Sequence, residues 1–307
     1  MDAKTLSTSH CTITNDALAM VRDTQGTYFA PLQKISPEKF AADTLNPKRA
    51  EEAAAVLEEY VELTGKKVLE IGAGCGINHI VWVNKFGVDG WGVEPAEQGF
   101  GHSNVIAKAL LIANSLDPSR IIDATGEDLP FGGGTFDIVY SSNVLEHVTD
   151  PRNVIREALR VLKPGGILQI ICPNYLSYFD GHYVALHPPV LWKGLFVWWI
   201  KWVYRRETAF AKTIRTEVNA IWAERQLASL QKDTPLKVLG LGREKFIERM
   251  DAAEVSPWMG LGVIARLVRI AKYLRLNRII GRLIALLRGW TPLIITVRKE
   301  GQDQSSE

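Results

Sequence analysis

Between Lys67 and Pro173 five short apolar runs alternate with stretches of helical periodicity, and no other feature of the sequence restricts the fold as tightly. The runs Lys67–Ile71, Val88–Val93, Ile121–Ala124, Phe136–Ser141 and Gly166–Cys172 are rich in Val and Ile, as strands buried on both faces are. Helical patterns near Ile77–Phe86, Gly101–Leu116 and Pro151–Leu162 separate them, long enough to return each strand parallel to the last. The expected class is α/β. Before this block, Asn46-Pro47 opens a helical pattern that runs through Leu63, with Asn as the cap and Pro in the first turn. Residues 1–46 carry polar clusters and weak periodicity and read as an N-terminal arm, followed by a core over 47–173. Residues 174–235 are rich in Tyr, Trp and His and read as loops and helices, a helical, aromatic-rich cap. Residues 236–300 give a short strand at Leu236–Leu239, C-terminal helices and a last strand, Pro292–Arg298, and 301–307 are a polar tail.

A chain of 307 residues that is 47% hydrophobic and 23% charged has ample core, which excludes a wholly disordered chain. Three scattered cysteines, Cys11, Cys75 and Cys172, exclude a disulfide framework and a cysteine zinc site, fit a reducing compartment, and leave no metal site expected. No secretory signal and no spanning segment is visible, so the expected location is cytoplasmic, with peripheral membrane contact as an addition. That addition comes from charge. Between Glu254 and Glu300 there are nine basic residues and no acidic one, interleaved with Leu and Ile. The stretch Leu191–Arg206 sets four tryptophans beside four cations, a composition suited to a membrane–water boundary. Anionic lipid is the expected partner of these two regions; a solvated basic face and a Trp-rich core helix are the competing readings. Nucleic acid is disfavoured because the basic stretch lacks stacking aromatics.

The chemistry-bearing motif is Val68-Leu69-Glu70-Ile71-Gly72-Ala73-Gly74-Cys75-Gly76, which closes one strand and opens a helix. Glycines at alternate positions permit a tight turn and close approach of a ligand to the main chain, and the helix start offers free N–H groups. Dinucleotide enzymes space their glycines G-x-G-x-x-G, whereas Ile77 stands where that third glycine would be. Glu94 ends the next strand, where a carboxylate can accept both hydroxyls of a ribose.

These residues resemble the core of the class I, Rossmann-like S-adenosylmethionine-dependent methyltransferases. VLEIGAGCG is similar to the family's first motif, WGVEP (91–95) to the second and GEDLPF (126–131) to the adenine-side motif. FDIVYSSNVLEHVTDP (136–151) and REALRVLKPGG (156–166) are similar to the fourth strand with its turn and to the next helix and turn. The resemblance implies a seven-stranded sheet with S-adenosyl-L-methionine as cofactor. Gly72, Gly74 and Gly76 would pass beneath it, with Glu70 supporting the loop or meeting the amino group. Glu94 would hold the ribose, Glu127 or Asp128 would lie beside the adenine, and Asn143 near the sulfonium. Thr125 stands where related sequences often carry Asp, and Glu127 and Asp128 read equally as a helix-start pair.

After the fifth strand, Asp180-Gly181-His182-Tyr183 and His187-Pro188-Pro189 are similar to a branch whose His-Tyr loop closes over the active site. His182 is thus a candidate general base, or part of an aromatic lid; His147 is a second candidate, or a packed histidine. Tyr175, Tyr183 and His187 are the residues expected at the acceptor. The implied activity is methyl transfer, O-methylation above all, to a small or lipid-linked acceptor of saccharide or isoprenoid/quinone-like chemistry. The alternative is a catalytically silent relative that docks on membranes or partner enzymes.

Overall fold

The computed structural model describes residues 3–96, 102–190, 192–252, 266 and 270–301. The chain divides into two compact units, one of residues 1–144, 152–169 and 298–307, the other of residues 145–151 and 170–297.

The first unit begins with helices where the sequence suggested weak periodicity: α1 (Ala3–Leu6), α2 (Asn15–Val21), a π-turn (Arg22–Gly26), α3 (Thr27–Gln33) and α4 (Pro37–Thr44). The local signals are caps. Thr14 and Ser36 accept from Ala17 N and Lys39 N, and Pro37 occupies the first turn of α4. Helix α5 (Pro47–Glu58) starts at the expected Asn46 cap. Then β1 (Lys67–Ile71), α6 (Ile77–Phe86), β2 (Asp89–Val93), α7 (Ser103–Ala113), β3 (Ile121–Ile122), β4 (Phe136–Ser142), α8 (Pro151–Val161) and β5 (Leu162–Cys172) keep to the expected alternation. The Lys163-Pro164-Gly165-Gly166 turn is drawn into β5, so that strand starts four residues early.

Strand β1 pairs in parallel with β2 on one side and β4 on the other, and β2 pairs with β3. Leu69, Ile80, Val81, Ile138 and Val139 are fully buried between sheet and helices. Trp82 of α6 joins that core edge-on to Tyr140, and its indole N–H donates to the Ala50 carbonyl of α5 at 2.8 Å.

The second unit holds a small antiparallel hairpin, β6 (Phe179–Asp180) and β7 (Ala185–Leu186), then α9 (Lys193–Trp202), α10 (Ala209–Thr213) and α11 (Ala220–Leu230). Strand β8 (Leu236–Gly240), α12 (Arg243–Ala252), α13 (Asn277–Leu286) and β9 (Leu293–Lys299) complete it. Of the two helical patterns read over 258–288, α13 is the second; of the first, residues 266 and 270–273 are described and helical, and the rest lies outside the described residues. The whole sheet has seven strands in the order β3-β2-β1-β4-β5-β9-β8. It is α/β and mostly parallel, as expected, and strand order reverses between β1 and β4, where open sheets of this kind leave a crevice beyond the strand ends.

Candidate functional site

The turn after β1 sits beside that reversal. Gly72, Gly74 and Gly76 all have left-handed backbones, with φ of +73°, +53° and +77°. At Gly72 the space is taken as well: a Cβ would lie 2.3 Å from Cγ2 of Val144, in the turn that leaves β4. Asn143, just before it, is itself left-handed at φ 55° and exposed. The two turns that flank the crevice therefore touch through Gly72 and Val144. Gly72→Ala is expected to cost about 2–4 kcal/mol, backbone strain and overpacking together. A Cβ at Gly74 meets nothing within 4 Å, so Gly74→Ala incurs the backbone part alone. Thermal unfolding of both variants checks this order.

Two buried carboxylates flank the turn in the chain, Glu70 before it and Glu94 at the end of β2. Glu94, 5% exposed, accepts the Gly74 N–H on Oε2 at 3.0 Å, and its backbone carbonyl accepts from Asn104 Nδ2 at 2.6 Å. Burial pushes the Glu94 carboxyl up to about 6, against the pull of the Gly74 N–H. Glu70 accepts from Asn78 Nδ2 at 2.5 Å on Oε1, while its buried Oε2 has no hydrogen-bond partner. Burial raises this carboxyl to about 8. An orphaned acceptor beside a glycine cradle suits a ligand bearing a cationic amino group.

Gln25, in the π-turn, donates to Ser103 Oγ at 3.0 Å and reaches Cys75 Sγ at 3.8 Å, so the N-terminal helices brace the glycine turn. Gln25, Asn78 and Asn104 escape sequence reasoning because each acts across tertiary distance from a helix or turn with no motif of its own. Cys75 is buried, and desolvation pushes its thiol up to about 12, which leaves it a packed side chain. The Glu127–Asp128 turn starts at Gly126, where a Cβ would lie 2.7 Å from Ile71 Cγ2, so it abuts the end of β1. It is pinned from α8: Asn153 Nδ2 donates to the Glu127 carbonyl at 2.7 Å and Glu157 accepts the Leu129 N–H at 3.0 Å. Asp128 is exposed and Glu127 half-buried.

In the second unit Glu146, His147 and His182 come together. Their polar ends meet around a small gap, with His147 Nε2 at 3.2 Å from His182 Nε2. Asp180, fully buried, takes His182 Nδ1 at 3.2 Å, the Tyr183 N–H at 2.7 Å and the Tyr175 hydroxyl at 3.3 Å. Burial opposes ionisation of Asp180, but the His182 charge and these donors keep its carboxyl below the usual carboxylate range. For His182, burial disfavours the imidazolium and Asp180 outweighs it, so the ring lies above the usual imidazole range. Burial pushes His147 down to about 3 and Glu146 up to about 7.

The residues expected at the acceptor, Tyr175, Tyr183 and His187, are buried side chains of this unit. Tyr175 and Tyr183 are 1% and 0% exposed. The Tyr183 hydroxyl donates to the Glu207 carbonyl at 3.1 Å and accepts the Ala211 N–H at 3.0 Å. His187 is buried, shares its Nδ1 with the Pro188 carbonyl at 2.8 Å and stacks on Tyr175. Buried aromatic rings usually find a partner for their polar tips, and the Tyr183 hydroxyl and His187 Nδ1 find theirs on the backbone.

Comparison with known proteins agrees with the cradle. Residues 69–170 match the family described as a methyltransferase domain. Over these residues the chain is similar to a methyltransferase domain on an α/β fold, and S-adenosyl-L-methionine is the cofactor such a domain implies. An uncharacterized methyltransferase of Mycobacterium sp. (strain JLS) is 34% identical over 122 residues, 40% of this chain and 44% of that protein. A ubiquinone biosynthesis O-methyltransferase of Rhizobium johnstonii is 31% identical over 146 residues, 48% of this chain and 56% of that protein. The chain thus spans about half the length of the curated relatives it matches. An S-adenosylmethionine-dependent methyltransferase of Mesorhizobium loti superposes over 82% of this chain and 100% of that one, at 14% identity and a TM-score of 0.48.

Proposed function

We propose that this chain transfers a methyl group from S-adenosylmethionine to an oxygen of a small or lipid-linked acceptor, isoprenoid/quinone-like or saccharide, at a membrane surface. The observation that carries the cofactor part is the left-handed Gly72-Ala73-Gly74-Cys75-Gly76 turn facing the Glu94 carboxylate. When bound, the cofactor supplies a methyl group already activated on a sulfonium, so the protein's work is alignment and exclusion of water rather than proton transfer. Glu94 would hold the two ribose hydroxyls, and the unpartnered Oε2 of Glu70 would take the amino group. Gly72, held open against Val144, would admit the ligand to the main chain. The name of the Rhizobium relative supports an oxygen acceptor of quinone type, and the apolar, basic face of α13 supports a lipid setting. Radiolabelled methyl transfer into fractionated lipids, sugars and proteins tests the reading. Label appearing only in the protein fraction, or none in the lipid and sugar fractions, would sink it.

The raised Glu94 carboxyl gives a pH signature. Ribose hydroxyls donate to the ionised form, so binding must expel a proton wherever the free protein holds one. Cofactor affinity is therefore expected to fall as pH drops through about 6, approaching tenfold per pH unit below it. Glu70 contributes its own slope at higher pH, because its free-protein value is about 8. Calorimetric titration of the wild type and Glu94→Gln across this range isolates the Glu94 part as the difference between the two curves.

A further inference from the structure

The gap between Glu146, His147 and His182 has the dimensions of a metal site. Glu146 Oε1 lies 3.7 Å from His147 Nε2 and 3.6 Å from His182 Nε2, and the two nitrogens are 3.2 Å apart. The circle through those three atoms has a radius of about 2.0 Å, and zinc binds imidazole nitrogen and carboxylate oxygen at about 2.0–2.2 Å. As hydrogen bonds the two contacts to Glu146 are too long. Yet Glu146 is fully buried and both its carboxylate oxygens lack a hydrogen-bond partner, the most costly state for such a group unless a cation serves them both.

The surroundings hold the three donors in place. Arg215 donates its backbone N–H to the Glu146 carbonyl at 2.9 Å and its guanidinium to the carbonyls of Val148 and Thr149. Phe210 packs against both imidazoles, at 5.6 Å from His147 and 5.3 Å from His182. Asp180 on Nδ1 of His182 sets the ring so that Nε2 faces the gap; carboxylates play this part behind metal-bound histidines. The His147 and His182 side chains keep 14% and 16% of their surface exposed, while that of Glu146 is fully buried.

We propose that Glu146, His147 and His182 bind a divalent transition metal of the zinc type, with Asp180 as the positioning residue behind His182. Two imidazoles and one carboxylate leave a fourth position, open to an oxygen ligand such as water or an alcohol. The competing occupant is a proton on His182, shared with His147.

The test uses the full chain stripped with a chelator and titrated with zinc chloride against a chromophoric competitor. One equivalent should bind with a Kd below about a micromolar, and His182→Ala should weaken binding at least about 100-fold. Asp180→Asn, which keeps a hydrogen-bond acceptor for His182 but loses the charge, should weaken it about 10–100-fold. X-ray absorption on the unmutated zinc form keeps the proposal falsifiable if either variant misfolds, and two imidazoles in the first coordination sphere are expected. A chain that takes up no zinc, that binds it equally well as His182→Ala, or whose zinc has fewer than two imidazole ligands would overturn the assignment. The test needs neither methyl donor nor acceptor, so its failure leaves the methyltransferase reading standing.

Discussion

Glu94→Ala is expected to weaken S-adenosylmethionine binding about 10²–10⁴-fold while leaving the protein folded. Two ribose hydroxyls donating to one carboxylate contribute about 1.5–3 kcal/mol each, because hydrogen bonds to a charged acceptor exceed neutral ones. The same substitution removes the acceptor for the Gly74 N–H, so the turn loses its brace as well as its ligand contact. Glu94→Gln separates these effects: the amide oxygen still accepts from Gly74, but the charge is gone. The glutamine variant should therefore lie between wild type and alanine. Calorimetric titration with the cofactor reads the affinities, and the thermal unfolding of each free protein reports whether the fold survived. Burying an ionised carboxylate is itself costly, so removing Glu94 is expected to leave the free protein's stability near neutral pH little changed or slightly raised. Unchanged affinity in a folded alanine variant would refute the ribose assignment.

The parts of this arrangement that the sequence declares are those with short-range causes. A Val/Ile run, a glycine turn and an apolar-faced helix are each specified within about ten residues, so β1, α6, β2 and β4 lie where their patterns place them. Glu70, Gly72 and Glu94 were legible for the same reason, since a strand end fixes the direction in which the chain leaves the sheet. Helices α2 to α4 were not, because segments of seven or eight residues are too short to show a period, although their Thr14 and Ser36 caps are visible in hindsight. The packing of Tyr175, Tyr183 and His187 was not legible for a different reason: an aromatic run beyond a strand end looks the same whether it lines a pocket or fills a core. The tertiary partners of the Tyr183 hydroxyl lie 24 and 28 residues away, beyond the reach of any local pattern. The Glu146–His147–His182 convergence is equally invisible to spacing. Its two histidines are 35 residues apart, with α8, β5 and β6 between them, and share no helix face.

Removing the apolar ridge of α13 is expected to abolish binding to anionic vesicles. The helix packs inward on Asn277, Gly281 and Ala285; Gly281 lies against Met250, and Asn277 Nδ2 donates to the Met250 carbonyl at 2.9 Å. Its opposite side carries Ile279, Leu283 and Leu286, 58%, 53% and 68% exposed, an i, i+4, i+7 ridge. Arg275 and Arg282 are exposed beside it, and no acidic residue occurs from 255 to 299. An apolar ridge edged with cations is complementary to a bilayer surface rich in anionic lipid, where it buries carbon and pairs charge together. Helix α9 repeats the composition, with Trp198 and Trp202 half or more exposed one turn apart and Lys201 over the Trp202 ring. Each cation near such a surface contributes about 1 kcal/mol, so Arg275→Gln with Arg282→Gln should weaken vesicle binding about 30-fold. Leu283→Glu with Leu286→Glu replaces two inserted side chains, each contributing about 1.5–3 kcal/mol, by charges of the lipid's own sign, and should weaken it at least about 100-fold. Flotation with phosphatidylserine vesicles at low and high salt measures both. Because the cofactor cradle belongs to the other unit, neither pair should alter S-adenosylmethionine affinity. Flotation unchanged in the leucine pair would show α13 to be a solvated basic face, and the acceptor would then have to be sought among soluble molecules.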